Sequence, residues 1–114
     1  MRNILGSKGE DIAIKFLSKK GHKILFRNYK TPLGEVDIIT KDNETIVFVE
    51  VKTRSNESFG QPFESVDYRK QERLKRIALY YLKQNRIESP IRFDVISILL
   101  RNGKNEINHI VEAF

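Results

Sequence analysis

Charge stands inside apolar, strand-like sequence at two places, Val36-Asp37-Ile38-Ile39 and Val47-Phe48-Val49-Glu50-Val51-Lys52. No other feature limits the fold as tightly. A buried charge without a partner is costly, so the chain must bring these side chains to one another, to a metal ion or to a substrate. Pairing the two segments as a hairpin meets that demand. With Lys41-Asp42-Asn43-Glu44 as the connection, strands over 35–40 and 45–53 set Thr40 against Thr45 and Asp37 against Phe48. Asp37 is then diagonal to Glu50, and Glu35 is opposite Glu50. Asp37, Glu50 and Lys52 share one face, while Val36, Ile38, Val47, Val49 and Val51 take the other, which is assigned to the core.

The remaining pattern builds an α/β order around this hairpin. Ile12, Ala13, Phe16 and Leu17 recur at helical spacing, predicting a helix over 8–20 that Ser7-Lys8-Gly9 leads into and Gly21 stops. At about 100° per residue Glu10 shares a side with Ala13, Ile14 and Leu17, which makes it the inward-leaning acid. Lys23–Tyr29 reads as a strand and Thr31-Pro32-Leu33-Gly34 as a turn. The segment from Arg54 to Pro62 has no periodicity and reads as a loop. Asp67 is placed to cap a helix over 68–84, with Leu74, Ile77, Ala78, Tyr81 and Leu82 on its apolar side. Strands at 91–100 and 107–111 follow, joined through an Asn102-Gly103 turn.

With 114 residues, 39% of them hydrophobic, the chain suits one domain and one core. Its 21 Lys and Arg against 15 Asp and Glu give a net charge of +6 and favour an anionic partner. No apolar run nears the roughly 20 residues needed to cross a bilayer, and residues 1–7 are too short for a secretory leader, so a cytoplasmic protein without a membrane partner is expected. The absence of cysteine excludes disulfides, thiolate zinc sites and cysteine nucleophiles. His22 and His109 are the only imidazoles, and neither has the neighbours of a catalytic triad. Any metal must be held by carboxylate oxygens, which suit Mg²⁺ or Mn²⁺.

Phosphodiester hydrolysis needs an activated water, neutralisation of charge on the phosphorus oxygens and help for the leaving oxygen. Asp37, Glu50 and Glu10 are hard oxygen donors for a divalent ion that supplies these, and Lys52 is positioned to orient water or to face the phosphorus. The rival reading of Glu50 and Lys52 is an ordinary charged pair on the wet face of a half-buried strand. Glu35 reads as a rim residue before it reads as a ligand. Asp94, inside Arg92-Phe93-Asp94-Val95, reads as a salt-bridge or hydrogen-bonding acid first and as a runner-up site residue second. Arg54, Lys70 and Arg73 are candidates to clamp flanking phosphates, with Phe59 available to stack. Gln71 points either at the site or into core hydrogen bonds. The basic face of the second helix could equally be a solvated surface.

The order helix, three strands, helix and strand, with Glu10, Asp37 and Glu50-Val51-Lys52 at these positions, resembles the PD-(D/E)XK nuclease superfamily. Gly9-Glu10-Asp11, Gly34-Glu35-Val36-Asp37, Val47–Arg54, Phe59-Gly60, Lys70-Gln71, Arg92–Val95 and Ala113-Phe114 look like the bacterial YraN family along nearly the whole chain. That family is described as predicted endonucleases similar to archaeal Holliday junction resolvases. The resemblance implies a restriction-endonuclease-like core with a mixed central sheet flanked by two helices. It also implies Glu10 as the acid from the first helix, Asp37 and Glu50 as metal ligands, and Lys52 as the catalytic lysine. Val36 stands where the superfamily's nominal pattern has proline, and the glutamine–tyrosine pair of the RecB-like branch is not evident.

Three functions follow as expectations. The first is a Mg²⁺- or Mn²⁺-dependent endonuclease acting on DNA rather than RNA, with branched or structured DNA as substrate and a two-fold dimer as its form. The second is a binding module of the same fold that does not cleave. The third is a protein-interaction domain in a DNA-processing assembly.

Overall fold

The structure, a computed structural model, describes residues 4–55 and 66–114. Its elements run α1 (Ile4–Lys19), β1 (Lys23–Thr31), β2 (Gly34–Asp42), β3 (Thr45–Ser55), α2 (Tyr68–Gln84), β4 (Ile91–Arg101) and β5 (Lys104–Ile110). The strands lie in one sheet in the order β1-β2-β3-β4-β5, antiparallel except for the parallel pair β3–β4. A parallel pair needs a long crossover, and α2 lies in that connection. The expected mixed α/β order is therefore what the chain adopts.

Both faces of the sheet are covered, because successive strand side chains point to opposite sides. Ile46, Phe48, Phe93 and Val95 pack with Leu74, Ile77, Ala78 and Tyr81 of α2. Val47, Val49, Ile96 and Ile98 pack with Ala13 and Leu17 of α1. The expectation of a single core face is corrected on this point. Glu50 and Lys52 alternate with Ile46 and Phe48, so their strand face is also core rather than a wet surface. Val36 also departs from its expected side. It joins Ile39 in the α2-side cluster while Ile38 lies in the α1-side cluster, so strict alternation breaks next to Asp37.

Helix α2 has the bounds expected from its pattern, with Asp67 Oδ1 accepting from the Lys70 N–H at 3.0 Å. Helix α1 begins at Ile4 rather than at residue 8. Gly9 is a buried residue inside the helix, where a Cβ would overlap Thr53 Oγ1. Close approach to β3 outweighs the poor helix propensity of glycine there. At the other end Gly21 takes φ 97°, and the His22 N–H donates to Leu17 O at 3.0 Å, closing the helix. The β4–β5 turn places Asn102 and Gly103 at φ 44° and 79°, and its ladder starts at once with Arg101 opposite Lys104. Hence the last strand spans 104–110 instead of 107–111.

Candidate active site

The β2–β3 register decides whether the acids meet. Thr40 pairs with Val47 and Ile38 with Val49, two residues away from the expected register, because the connection is the short turn Asn43-Glu44 and Asp42 already pairs with Thr45. A two-residue shift keeps every side chain on its face. It also brings Asp37 from the level of Phe48 to that of Glu50, and moves Glu35 away from Glu50. Past Ile38 the Val51 N–H donates to Asp37 Oδ2 at 2.8 Å, which fixes the carboxyl beside β3.

Asp37 and Glu50 stand side by side, close enough for the Glu50 carboxylate to act on the Asp37 carboxyl. Burial pushes Asp37 up to about 7, and the negative charge of Glu50 adds to the rise. The Val51 N–H pulls in the opposite direction without prevailing. Glu50 is itself buried, at 4% exposure, and meets two ammonium groups. Lys52 Nζ lies 3.8 Å from its Oε2, and Lys70 Nζ, from the first turn of α2, contacts the same oxygen. Lys70 was expected to clamp flanking phosphates; in the structure it stands on a site carboxylate. Burial of Glu50 and its contact with α2 disagree with the solvated-pair reading of Glu50 and Lys52.

Glu10 comes from α1, on the other side of the sheet, and its charge also raises Asp37. Its Oε1 accepts from Arg27 Nε at 3.3 Å and from Asn28 Nδ2 at 3.1 Å. Arg27 further reaches Asp11 Oδ1 at 2.5 Å and Ser7 O at 3.0 Å, tying the start of α1 to β1. Neither Arg27 nor Asn28 was anticipated from sequence. Asn28 lies between the pairs Arg27–Ile38 and Tyr29–Val36, with φ 55°, where the Val36-Asp37 alternation breaks. A signal existed: asparagine is poor in strands and tolerant of left-handed backbone.

As donors for a divalent ion, Asp37 and Glu50 fit: both are hard oxygen ligands, and their mutual repulsion is what a cation would relieve. Among the described residues no group of three or more His, Asp or Glu side chains has the spacing of a metal site. Mg²⁺ is commonly bound through one or two carboxylates plus water and substrate oxygens, a demand that a carboxylate pair such as Asp37 and Glu50 would meet.

The sequence matches the model of the uncharacterised protein family UPF0102 over residues 9–98. This chain belongs to that family. A UPF0102 protein of Thermodesulfovibrio yellowstonii is 52% identical over 110 residues, covering 96% of this chain and 95% of the relative. UPF0102 proteins of Alkaliphilus oremlandii and Syntrophomonas wolfei are 49% and 50% identical, each covering 100% of both chains. The UPF0102 match spans every residue of the Asp37–Glu50 centre, including Glu10, Lys52 and Lys70.

Other candidates have contacts of their own. Gln71 Nε2 donates to Val66 O at 2.8 Å, bracing the entry to α2. Arg73 lies against Gly34, where a Cβ would come within 2.9 Å of its Cδ. Arg54 is a strand residue paired with Leu99, not a loop residue, and Glu35 is exposed opposite Lys30. Phe59 and the rest of the expected loop up to Pro62 lie outside the described residues. Asp94 has the structural role that was read as the likelier one. Arg92 grips it through Nε and Nη2 at 2.9 and 3.0 Å, and the Glu112 N–H donates to it at 3.1 Å. His109 Nε2 lies 2.8 Å from its Oδ2 and Lys20 Nζ lies 2.8 Å from His109 Nδ1, so both imidazole nitrogens are engaged. His22, near Thr40 and Asp42, extends this network.

Proposed function

We propose that the chain is a Mg²⁺- or Mn²⁺-dependent endonuclease that hydrolyses phosphodiester bonds in DNA, with branched or structured DNA as its substrate class. The observation that carries this reading is the pairing of half-buried Asp37 with buried Glu50, with Lys52 and Lys70 on the Glu50 side. Asp37 and Glu50 are the residues that hold the ion. When bound, the ion supplies charge for the phosphate oxygens and an acidified water. Val51 N–H keeps the Asp37 carboxyl in place for this. Lys52 Nζ orients the attacking water and neutralises charge on the oxygens around phosphorus, and Lys70 provides a second cation at Glu50. Glu10, anchored by Arg27 and Asn28, adds negative charge from the α1 side. A two-fold dimer would offer two such sites to the paired phosphates of a junction.

The test incubates the protein with linear duplex, single-stranded, flap and four-way DNA and with RNA, each in Mg²⁺, Mn²⁺ or chelator. Cleavage of DNA in a divalent metal and none in chelator is the expected result. Binding without cleavage of any substrate in either metal would replace this reading with that of a binding module.

A further inference from the structure

A groove of about 380 Å³ lies between the β1–β2 turn and the outer flank of α2, lined by Leu33, Tyr68, Arg69, Glu72, Arg73 and Arg76. Its charge is one-sided. The single acid, Glu72, is taken by Lys75 Nζ at 3.3 Å. Among the described residues, the guanidinium groups of Arg69, Arg73 and Arg76 make no ion pair or hydrogen bond. Guanidinium groups stay charged at any physiological pH, so three of them in one groove repel one another until an anion separates them. Arg73 is also held in position, since its stem packs on the Gly34 backbone.

We infer that this groove is a binding track for the sugar-phosphate backbone of a nucleic-acid strand that leads to Glu50, an inference that rests on the nuclease reading. Spacing favours a polyanion of regular repeat. The seven helical steps from Arg69 to Arg76 rise about 10.5 Å, which spans about three nucleotide steps of ~3.4 Å along a duplex strand. Composition favours nucleic acid over an acidic peptide. Tyr68 is 72% exposed and Leu33 44% exposed, leaving an aromatic ring and an alkyl surface for sugar and base beside the cations. Position connects the groove to the site, because Lys70 follows Arg69 and turns inward onto Glu50.

The test measures binding of a labelled four-way junction and a labelled duplex by fluorescence anisotropy over a range of salt, in chelator so that nothing is cut. Each lost phosphate contact lowers the log–log salt slope by about 0.9 on duplex DNA. R69Q/R73Q/R76Q should therefore lose about 2.7 of the wild-type slope, and R69Q/R76Q, which spares the packed Arg73 stem, about 1.8. K15Q/K19Q/K23Q removes the same charge from exposed positions elsewhere and should leave the slope close to wild type. In Mn²⁺ the triple arginine variant should raise KM while keeping kcat. A wild-type slope in both arginine variants, or an equal loss in the lysine control, overturns the groove and leaves the nuclease reading standing. Arginine-dependent binding by a wild type that cuts nothing overturns the nuclease reading instead. Polyglutamate bound as tightly as DNA, with the same arginine dependence, would overturn the assignment to nucleic acid.

Discussion

Asp37 is half-buried and Asp94 buried, and their surroundings drive them in opposite directions. Burial and the Glu50 charge hold Asp37 at about 7, above its unfolded value, so its stabilising contribution is full below about pH 4 and is lost as pH rises toward 7. Burial also raises Asp94, but hydrogen bonds from His109, Arg92 and the Glu112 N–H outweigh it and hold the group at about 2. Its contribution is full above about pH 4 and is lost as pH falls toward 2, on the order of 2 kcal/mol. Two outcomes follow. Metal-free Asp37→Asn, which keeps an acceptor for the Val51 N–H, should be more stable than wild type at pH 8 by on the order of 2–4 kcal/mol. Mn²⁺ should then raise the unfolding midpoint of wild type and leave that of Asp37→Asn unchanged; denaturant titrations with and without metal check both. Urea unfolding of Asp94→Asn between pH 4 and 2 should show a shallower acid loss than wild type, and parallel losses would contradict the role given to Asp94.

The elements show where local sequence suffices and where it does not. α2 was legible to the residue because a capping aspartate and an unbroken apolar stripe define it without help from elsewhere. The turn before β3 was not, since Lys41 and Asp42 look like loop residues. In the fold Asp42 is a strand residue, held by Arg92 Nη1 at 3.1 Å across 50 positions of sequence. The same limit applies to Gly9, since nothing local in the sequence shows that Thr53 lies against it. Glycine to alanine inside a helix normally stabilises by about 1 kcal/mol. Here Gly9→Ala should destabilise by about 1–3 kcal/mol through overpacking, and Thr53→Ala in the same chain should recover part of the loss. Thermal unfolding of the single and double variants distinguishes these signs, and a stabilised Gly9→Ala would refute the close contact.

For the whole molecule, the α/β order was readable from alternating periodicities, whereas coverage of both sheet faces was not. Phe48, Val49 and Glu50 are consecutive buried residues, and nothing local tells which helix lies over which side. The consequence for the site is large: Glu50 sits under α2, away from bulk water, and meets Lys70 from that helix. Long-range assembly also ties Asp94 into the Arg92–His109 network. The central claim is that Asp37, Glu50 and Lys52 form a metal-dependent phosphodiesterase centre, and single-turnover cleavage of a four-way DNA junction in Mn²⁺ tests it most directly. Wild type should cut, while Asp37→Asn, Glu50→Gln and Lys52→Ala should each lose at least about 100-fold in rate, the scale of a lost electrostatic contact to the transition state, with junction binding retained. Cleavage at the wild-type rate by Glu50→Gln, or by wild type in chelator, would contradict it.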